Sequence, residues 1–252
     1  MISELLDAAS GLTLFGRYAF PPNRLGYCGS AQHEELFAYV TEQKSDKGFL
    51  ALTQKFEAAF PYLLLIAQAN NISNPFDPRV VEAYWIGNKY LEKVSEPLLY
   101  ESLKERFRAR MPARMFQYLI GKIEMGAKPH HNFHVFDVYT KAGSMRGDHS
   151  EISLQQMDSC RISWGKLLEI KGSSLIVERE PLILAQGKLA LGPAEKKIVT
   201  WQIDGRGFVQ DIHVGDIVAI HWDWASDILS HASLRWLQYE TQMCLTLANT
   251  TI

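Results

Sequence analysis

Apolar and small residues in the first half of the chain recur with the spacing of amphipathic helices. The clearest example follows Asp77 and Pro78, where a capping side chain precedes a proline suited to the first helical position. The apolar or small face of this helix consists of Val80, Tyr84, Gly87, Leu91 and Val94. Pro97 and Pro112 mark two further helix starts, and Pro61 kinks a long helical stretch or divides it into two helices. The first half is therefore predicted to be mainly helical.

The pattern changes about halfway along the chain. Residues 133–139 alternate with period two and are mostly β-branched or aromatic, which predicts a strand. The next stretch, residues 141–156, is polar and has no periodicity. We place the domain boundary there: a mainly helical domain of residues 1–142 that ends in the strand, a linker of residues 143–157, and a second domain of residues 158–252.

Short strands separated by turn signals dominate the last third. Strands are predicted over residues 162–170, 174–180, 196–203 and 217–222, with Gly-containing turns between them. Ser230 then provides the cap of a final helix. Several short strands at this spacing predict a small barrel or sandwich. The predicted fold class is therefore α+β, with a mostly helical N-terminal domain followed by a small β-barrel and a C-terminal helix.

Composition and charge narrow the possible classes of function. Of 252 residues, 47% are hydrophobic and 21% charged, which excludes a disordered chain, a collagen and a simple coiled coil. The formal net charge of −2 argues against a nucleic-acid partner, which would require a basic face. Three scattered cysteines do not make a disulfide framework. The N-terminus lacks the basic start of a signal peptide, and the most apolar run, residues 60–67, is far shorter than the roughly 20 residues of a membrane span. We therefore expect a soluble, cytoplasmic protein with no membrane partner.

Two blocks in the last third resemble the HypC/HupF family of hydrogenase-assembly chaperones. The first block, residues 160–170, begins with Cys160 and continues through a short apolar step to a Gly-Lys pair and a strand. The second block, residues 214–225, is a Val-Gly-Asp turn, an apolar strand, His221 and a small–aromatic–Ala step toward the last helix. Both blocks occur in the family's order. The chain departs from the family in that Cys160 is internal rather than next to an initiator methionine. The stretch 171–213 is also longer, which predicts an extra hairpin.

The resemblance implies both a fold and a function. The fold would be a small OB-like β-barrel with a C-terminal helix. The function would be that of a nickel–iron hydrogenase maturation factor. Such a factor transiently carries iron, with its cyanide and carbonyl ligands, between a HypD-type scaffold protein and the hydrogenase large subunit, without itself catalysing turnover. By position, Cys160 and His221 match the family's functional cysteine and histidine, and thiolate and imidazole both suit iron. The alternatives are a packed cysteine and a histidine satisfied within the barrel wall.

A cluster of histidines precedes the predicted linker. His130, His131 and His134 lie within a few residues of one another, with Asp137 just beyond them. If the segment is extended, His130 and His134 share one face and could bind a transition metal, and Asp137 could orient one of the imidazoles. The alternative is that the imidazoles hydrogen-bond to loop backbone. The cluster supports a rival function, a metal-dependent enzyme with a His130/His131/His134 site, and a third possibility is a metal-free interaction module.

One cysteine of the first half lies in a segment of unusual composition. A short first helix is expected to end at Gly11, and residues 17–30 are rich in Pro, Gly and Asn, which predicts an ordered loop. Cys28 lies in this loop between two glycines. It could join the histidine cluster or Cys160 in space, or it could simply be a small residue that fits a tight loop. We expect the N-terminal domain to pack over the Cys160 end of the barrel.

Overall fold

The first part of the protein is a set of packed helices. The computed structural model describes residues 2–139 and 154–252, with side chains from Ser10 onward. The helices of the first part are α1 Ile2–Arg24, α2 His33–Glu42, α3 Lys47–Gln54, α4 Phe60–Ala69, α5 Pro78–Trp85, α6 Glu96–Phe107 and α7 Ala113–Glu124. These helices confirm the predicted helical first half. Within the described ranges, no helix is both long and apolar enough to cross a membrane.

Local signals correctly located several helix starts but not every helix end. The Asp77 side chain accepts a hydrogen bond from the Arg79 backbone N–H, so α5 begins at its predicted cap. The break near Pro61 produces two helices, α3 and α4. The predicted continuation of α5 to Val94 is wrong, because the helix stops just before Gly87. The φ of Gly87 is 98°, a left-handed conformation that ends helices and that glycine adopts at little cost.

The first helix continues through Gly11 instead of ending there. In α1 this glycine lies against the chain at Phe76: a Cβ added at Gly11 would lie 1.7 Å from the Phe76 carbonyl oxygen. The missing side chain therefore permits close packing between two backbones, and it does not mark a helix end. The prediction that α1 stops at Gly11 was wrong because a helix-interior glycine and a helix-ending glycine look the same in sequence.

Gly11→Ala is expected to destabilise the protein by about 3 kcal/mol, because the new methyl group can be accommodated only by moving backbone. Gly121→Ala is the matched control: Gly121 also lies inside a helix, α7, but nothing lies within 4 Å of its added Cβ. That change should stabilise the protein by about 0.5–1 kcal/mol through helix propensity. Urea unfolding of both variants measures the difference. Equal stability of the two variants would contradict the close approach at Gly11.

The histidine segment is helical, so the prediction of a strand over residues 133–139 was wrong. Helix α8, His131–Phe133, leads directly into a π-helix, His134–Tyr139. Its apolar residues are buried whether they occupy odd or even positions: Phe133, Val135, Phe136 and Val138. A segment enclosed on all sides has no solvent face, so the apparent alternation of its residues carried no information about strand geometry.

Most of the predicted linker, as far as residue 153, lies outside the described residues. The chain is described again from helix α9, Leu154–Cys160, so the end of the predicted 143–157 linker is helical. The division into two domains stays a prediction. The structure does show that the helices and the strands share one large apolar core, to which Phe15, Ala219 and Leu237 all belong.

The last third contains the predicted strands and a barrel. The strands are β1 Ser163–Lys171, β2 Ser174–Arg179, β3 Leu182–Ala185, β4 Lys188–Leu191, β5 Glu195–Thr200, β6 Gln202–Ile203, β7 Arg206–Gly207, β8 Ile217–His221 and β9 Trp224–Ile228, followed by α10 His231–Ala248. Five of them pair in the cyclic order β1-β2-β5-β9-β8, and β8 pairs back onto β1. The two-stranded sheet β3-β4 is the extra hairpin that the longer 171–213 stretch predicted.

One seam of the barrel is only lightly joined. The pairs within the ring are antiparallel except that between β5 and β9, which is parallel and rests on Thr200 opposite Trp224. A five-stranded, partly open barrel is the form of an OB-type domain. The inside of the barrel is filled by a small apolar cluster of Leu167, Leu175, Val177, Val199, Val218, Ile220 and Ala225. The predicted α+β fold class is confirmed.

The helical part packs directly on the end of the barrel where β8 meets β9. Phe20 of α1 contacts the Trp224 ring edge-on, with ring centroids 5.3 Å apart. Arg17 of the same helix pairs with Asp227 of β9 at 3.0 Å. The short β8–β9 hairpin is thus held between the barrel and α1, and the histidine segment lies beside it.

Candidate metal centre

Three side chains from separate elements bring potential metal ligands together. His131 begins α8, Cys160 ends α9, and His221 ends β8. One ligand atom from each lies within 4.8 Å of the other two, and the two imidazole centroids are 5.1 Å apart. Among the residues that the structure describes, no other group of three or more His, Cys, Asp or Glu side chains converges this closely. A thiol with two imidazoles suits zinc, iron, nickel or copper ions.

His221 presents one nitrogen to this group and anchors itself with the other. Its Nδ1 lies 2.7 Å from the Tyr18 carbonyl oxygen, which can only accept a hydrogen bond, so Nδ1 carries the proton. The lone pair is therefore on Nε2, a buried atom for which the described residues provide no hydrogen-bond partner. Metal-bound histidines typically donate their other N–H to a carbonyl in this way.

His131 is also anchored to a backbone carbonyl through one ring nitrogen, but through Nε2 and not through Nδ1. Its Nε2 lies 2.8 Å from the Cys160 carbonyl oxygen and donates to it. Its Nδ1 then holds the lone pair and faces the Tyr84 hydroxyl at 3.1 Å. Both ring nitrogens of His131 therefore have a hydrogen-bond partner, and a metal ion bound by this imidazole would displace one of them. Both imidazoles are oriented by backbone carbonyls, as metal-bound histidines usually are.

Burial sets the charge of all three groups. It lowers the pKa of His131 to about 4, an effect partly opposed by the Cys160 backbone. Burial, together with repulsion from His131, holds the pKa of His221 well below its usual range. Burial also raises the pKa of the Cys160 thiol to about 12, against a smaller lowering effect of the Trp222 indole N–H. At neutral pH the imidazoles are neutral, as coordination requires, and the thiol must lose a proton to bind a metal ion.

A strained hairpin turn lies beside the end of α9. Trp222 and Asp223 form the two-residue loop between β8 and β9, and their φ angles are 48° and 56°. Positive φ at both positions is the type I′ pattern, which normally uses Asn, Asp or Gly. A bulky residue there costs about 1–3 kcal/mol, and such strain is concentrated at functional sites. The Trp222 backbone N–H donates to the Ser159 carbonyl at 2.7 Å, which ties the turn to the end of α9 beside Cys160.

An aromatic pair covers the same end of the barrel. The Tyr27 ring, from the loop between α1 and α2, stacks on Trp222 with centroids 4.1 Å apart and ring planes 21° apart. Tyr27 is 45% exposed, so this pair reaches the protein surface next to the turn that follows His221. Cys160 itself is half-buried and ends a helix.

The predicted histidine triad does not assemble as a metal site. His130 is the N-cap of α8, and its Nδ1 accepts the Asn132 backbone N–H. The His134 Nδ1 lies 3.5 Å from the Tyr62 hydroxyl. Because the segment is helical and not extended, its side chains point in different directions. Of His130, His131 and His134, only His131 joins the group of converging ligands among the described residues.

Asp137 belongs to a buried ion pair. Its Oδ1 lies 3.3 Å from the Lys122 Nζ, and both side chains are almost fully enclosed. Lys122 also donates to the Leu247 carbonyl and to the Thr250 and Thr251 hydroxyls at the end of α10. This pair joins the segment that carries His131 to α7 and to the C-terminus. Lys122 was missed because a lysine within an amphipathic helix carries no sequence signal of burial.

Sequence reasoning also missed Trp222 and Tyr84. Tyr84 occupied a helical position typical of core residues, and nothing in its spacing distinguished it. A signal for Trp222 did exist: a tryptophan followed by aspartate separates two short strands, where a tight turn normally takes small or polar residues.

The fold and the site together define a class: an α+β protein in which helices pack on one end of an OB-type barrel, next to a His-Cys-His group with two buried imidazoles. Residues 7–252 match the model of a protein family described as a family of unknown function, DUF6390, and the chain belongs to that family. No curated protein and no solved structure matches the chain.

Proposed function

We propose that the protein is a metallocentre-assembly factor that carries iron, with its cyanide and carbonyl ligands, for nickel–iron hydrogenase maturation. The observation that carries the proposal is the meeting of Cys160 and His221. These two residues match the functional positions of HypC/HupF chaperones in sequence. In space their ligand atoms lie within 4.8 Å of each other, with His131 as a third ligand.

The chemistry of the pocket suits a bound iron cargo. A thiolate is a soft, strongly donating ligand for low-spin iron, and neutral imidazoles complete the set without adding charge. Cys160 is only half-buried, so a docking protein can reach the cargo from the surface on which Tyr27 stacks on Trp222. Its partners would be a HypD-type scaffold that loads the iron and the hydrogenase large subunit that receives it, in the cytoplasm.

The proposal gives the protein the role of an accessory factor. The described part of the site offers three ligands, and the carried iron is the substrate that passes through it. In such a role the chain binds, shields and releases its cargo, and the thiol gives up a proton on loading and regains it on release. A single substitution at Cys160 should therefore abolish delivery and leave the fold in place.

Cys160→Ala is expected to abolish hydrogenase maturation in cells that lack the wild-type protein, because the only thiolate among the three converging ligands is lost. Cys244→Ala is the matched control: Cys244 is buried in α10, outside that group, and its loss should cost only about 1 kcal/mol of stability. Hydrogenase activity in cell extracts measures maturation. Infrared spectra of the purified wild-type protein should show cyanide and carbonyl bands that Cys160→Ala lacks. Full maturation by Cys160→Ala would end the proposal.

A further inference from the structure

The turn between α6 and α7 carries a concentration of cationic side chains. Residues 104–114 contain one lysine, four arginines and a single carboxylate, whereas the whole chain has a formal net charge of −2. Arg108, Arg110 and Arg114 are exposed, and in the part of the chain that the structure describes no carboxylate pairs with them. The positive charge of these three arginines is therefore not compensated by an ion pair within the described residues.

Aromatic rings hold two of these guanidinium groups in place. The Arg108 Cζ lies 5.5 Å from the centroid of the buried Phe116 ring. The Arg114 Cζ lies 5.4 Å from the Tyr118 ring centroid, and the Arg114 Nε donates to the Tyr118 hydroxyl at 2.8 Å. A cation over an aromatic face is attracted by the ring, and a side chain held in this way loses less conformational freedom when it binds a partner. The cations are thus preorganised for binding.

The local electrostatics of α7 do not favour these cations. A helix N-terminus carries partial positive charge, so carboxylates in the first turn are favourable and cations are unfavourable. The first turn of α7, which begins at Ala113, has no acidic residue and contains Arg114. This arrangement costs folding stability, and such departures from local preference are expected at functional sites. Carboxylates of a binding partner would offset the repulsion.

Exposed apolar side chains continue from the basic turn along α7. Tyr118 is 38% exposed and Met125, at the end of the helix, is 47% exposed. Arg114, Tyr118, Gly121 and Met125 are spaced by four, three and four residues, so they follow one face of the helix. Arg, Tyr and Met are enriched in protein–protein interfaces. The α6–α7 surface, defined here by its exposed cationic and apolar side chains, consists of Arg108, Arg110, Arg114, Tyr118 and Met125.

We infer that the α6–α7 surface binds an acidic segment of a partner protein that also carries apolar side chains. The carboxylates of this segment would pair with the three arginines, and its apolar side chains would pack against Tyr118 and Met125. A nucleic acid fits less well, because the exposed carboxylates of Glu105 and Glu124 lie on the same two helices and would repel a phosphate backbone. The inference goes beyond the proposed function, and it does not depend on the metal site.

Fluorescence anisotropy with an acidic peptide tests the surface. The probe is a labelled peptide of about 14 residues in which Glu is interspersed with Leu, long enough as a helix, at about 1.5 Å per residue, to follow α7. The combined change of Arg108→Gln, Arg110→Gln and Arg114→Gln should weaken binding to the full-length protein by about tenfold or more. The matched control removes the same charge from exposed lysines elsewhere, through Lys93→Gln, Lys166→Gln and Lys196→Gln, and should weaken binding by less than about twofold. Equal weakening by the two triple variants would overturn the inference, because only the overall charge would then matter.

Tyr118→Ala tests the apolar part of the surface. It should weaken peptide binding by about 5- to 30-fold, since an aromatic side chain that becomes buried in an interface contributes strongly to affinity. Tyr239→Ala is the matched control: Tyr239 is 56% exposed on α10, outside the α6–α7 surface, and its loss should leave binding unchanged. Single-stranded DNA of similar charge is the second probe. Tighter binding of this DNA than of the peptide, lost in the triple arginine variant, would overturn a protein partner in favour of a nucleic acid.

Two further measurements separate lost binding from lost folding and from the proposed function. The triple arginine variant should unfold at the same temperature as the wild type or above it, because positive charge leaves the N-terminus of α7. In the wild type, the peptide should slow amide hydrogen exchange in residues 104–125 and not in α10. Protection confined to other residues would overturn the inference even if the triple variant does not fold. Cys160→Ala should bind the peptide as tightly as the wild type, so a failure here leaves the proposed function untouched.

Discussion

Lys122→Met is expected to lower the free energy of unfolding by about 3–5 kcal/mol, because it removes one member of a buried ion pair. The Lys122 and Asp137 side chains are 1% and 0% exposed. The loss leaves the carboxylate of Asp137 buried without this cation, and it also removes one of the donors to the Leu247 carbonyl. Because the π-helix that contains Asp137 follows directly from α8, which begins with His131, the same change should loosen the candidate metal centre. Urea unfolding measures the stability.

The surface pair of Lys104 and Glu101 supplies the matched control. Their side chains are 47% and 64% exposed, and exposed ion pairs contribute about 0–1 kcal/mol. Lys104→Met should therefore leave the stability nearly unchanged. The double change of Lys122→Met with Asp137→Leu should recover part of the loss, because an apolar pair needs no charge compensation. If Lys122→Met is as stable as Lys104→Met, the buried ion pair does not hold this region together.

His221→Ala is expected to weaken the binding of Co²⁺ or Zn²⁺ by more than about 100-fold, since losing a direct ligand costs more than losing a supporting group. The imidazole is fully buried, and its Nε2 has no other hydrogen-bond partner in the described part of the chain. Competition with a chelator of known affinity measures the loss.

His213→Ala is the control for this experiment. His213 is an exposed histidine of the same barrel, outside the converging group, and its replacement should change neither metal affinity nor stability by a measurable amount. Thermal unfolding of the metal-free variants separates a lost ligand from a lost fold. Equal metal affinity of His221→Ala and His213→Ala would remove His221 from the site.

Much of the fold could be predicted because its signals are local. Asp77 and Pro78 begin a helix through a cap and a fixed φ angle, which the residues carry with them wherever they occur. The turns between the barrel strands are specified in the same local way. The prediction of a strand for residues 133–139 failed because the conformation of this segment depends on its burial on all sides. A short sequence pattern does not show such burial.

The candidate metal centre was only partly predictable for a related reason. Cys160 and His221 were identified through the resemblance, and His131 was one of three histidines that the sequence could not rank. Their convergence depends on how α8 and α9 pack on the end of β8, a long-range arrangement that emerges only from the complete fold. Trp222 is a different case. It occupies a left-handed turn position that normally takes Asn, Asp or Gly, and residues that break such a local preference are often found at functional sites.

X-ray absorption at the metal edge of the Zn²⁺-loaded, full-length protein tests the central claim most directly, because it reports which atoms surround the ion. The account predicts sulfur at about 2.3 Å and imidazole nitrogen at about 2.0–2.1 Å. Cys160→Ala should lose or reduce the sulfur contribution, and Cys244→Ala should not. A spectrum with only oxygen and nitrogen neighbours, unchanged by Cys160→Ala, would contradict a metal centre built on Cys160, His131 and His221.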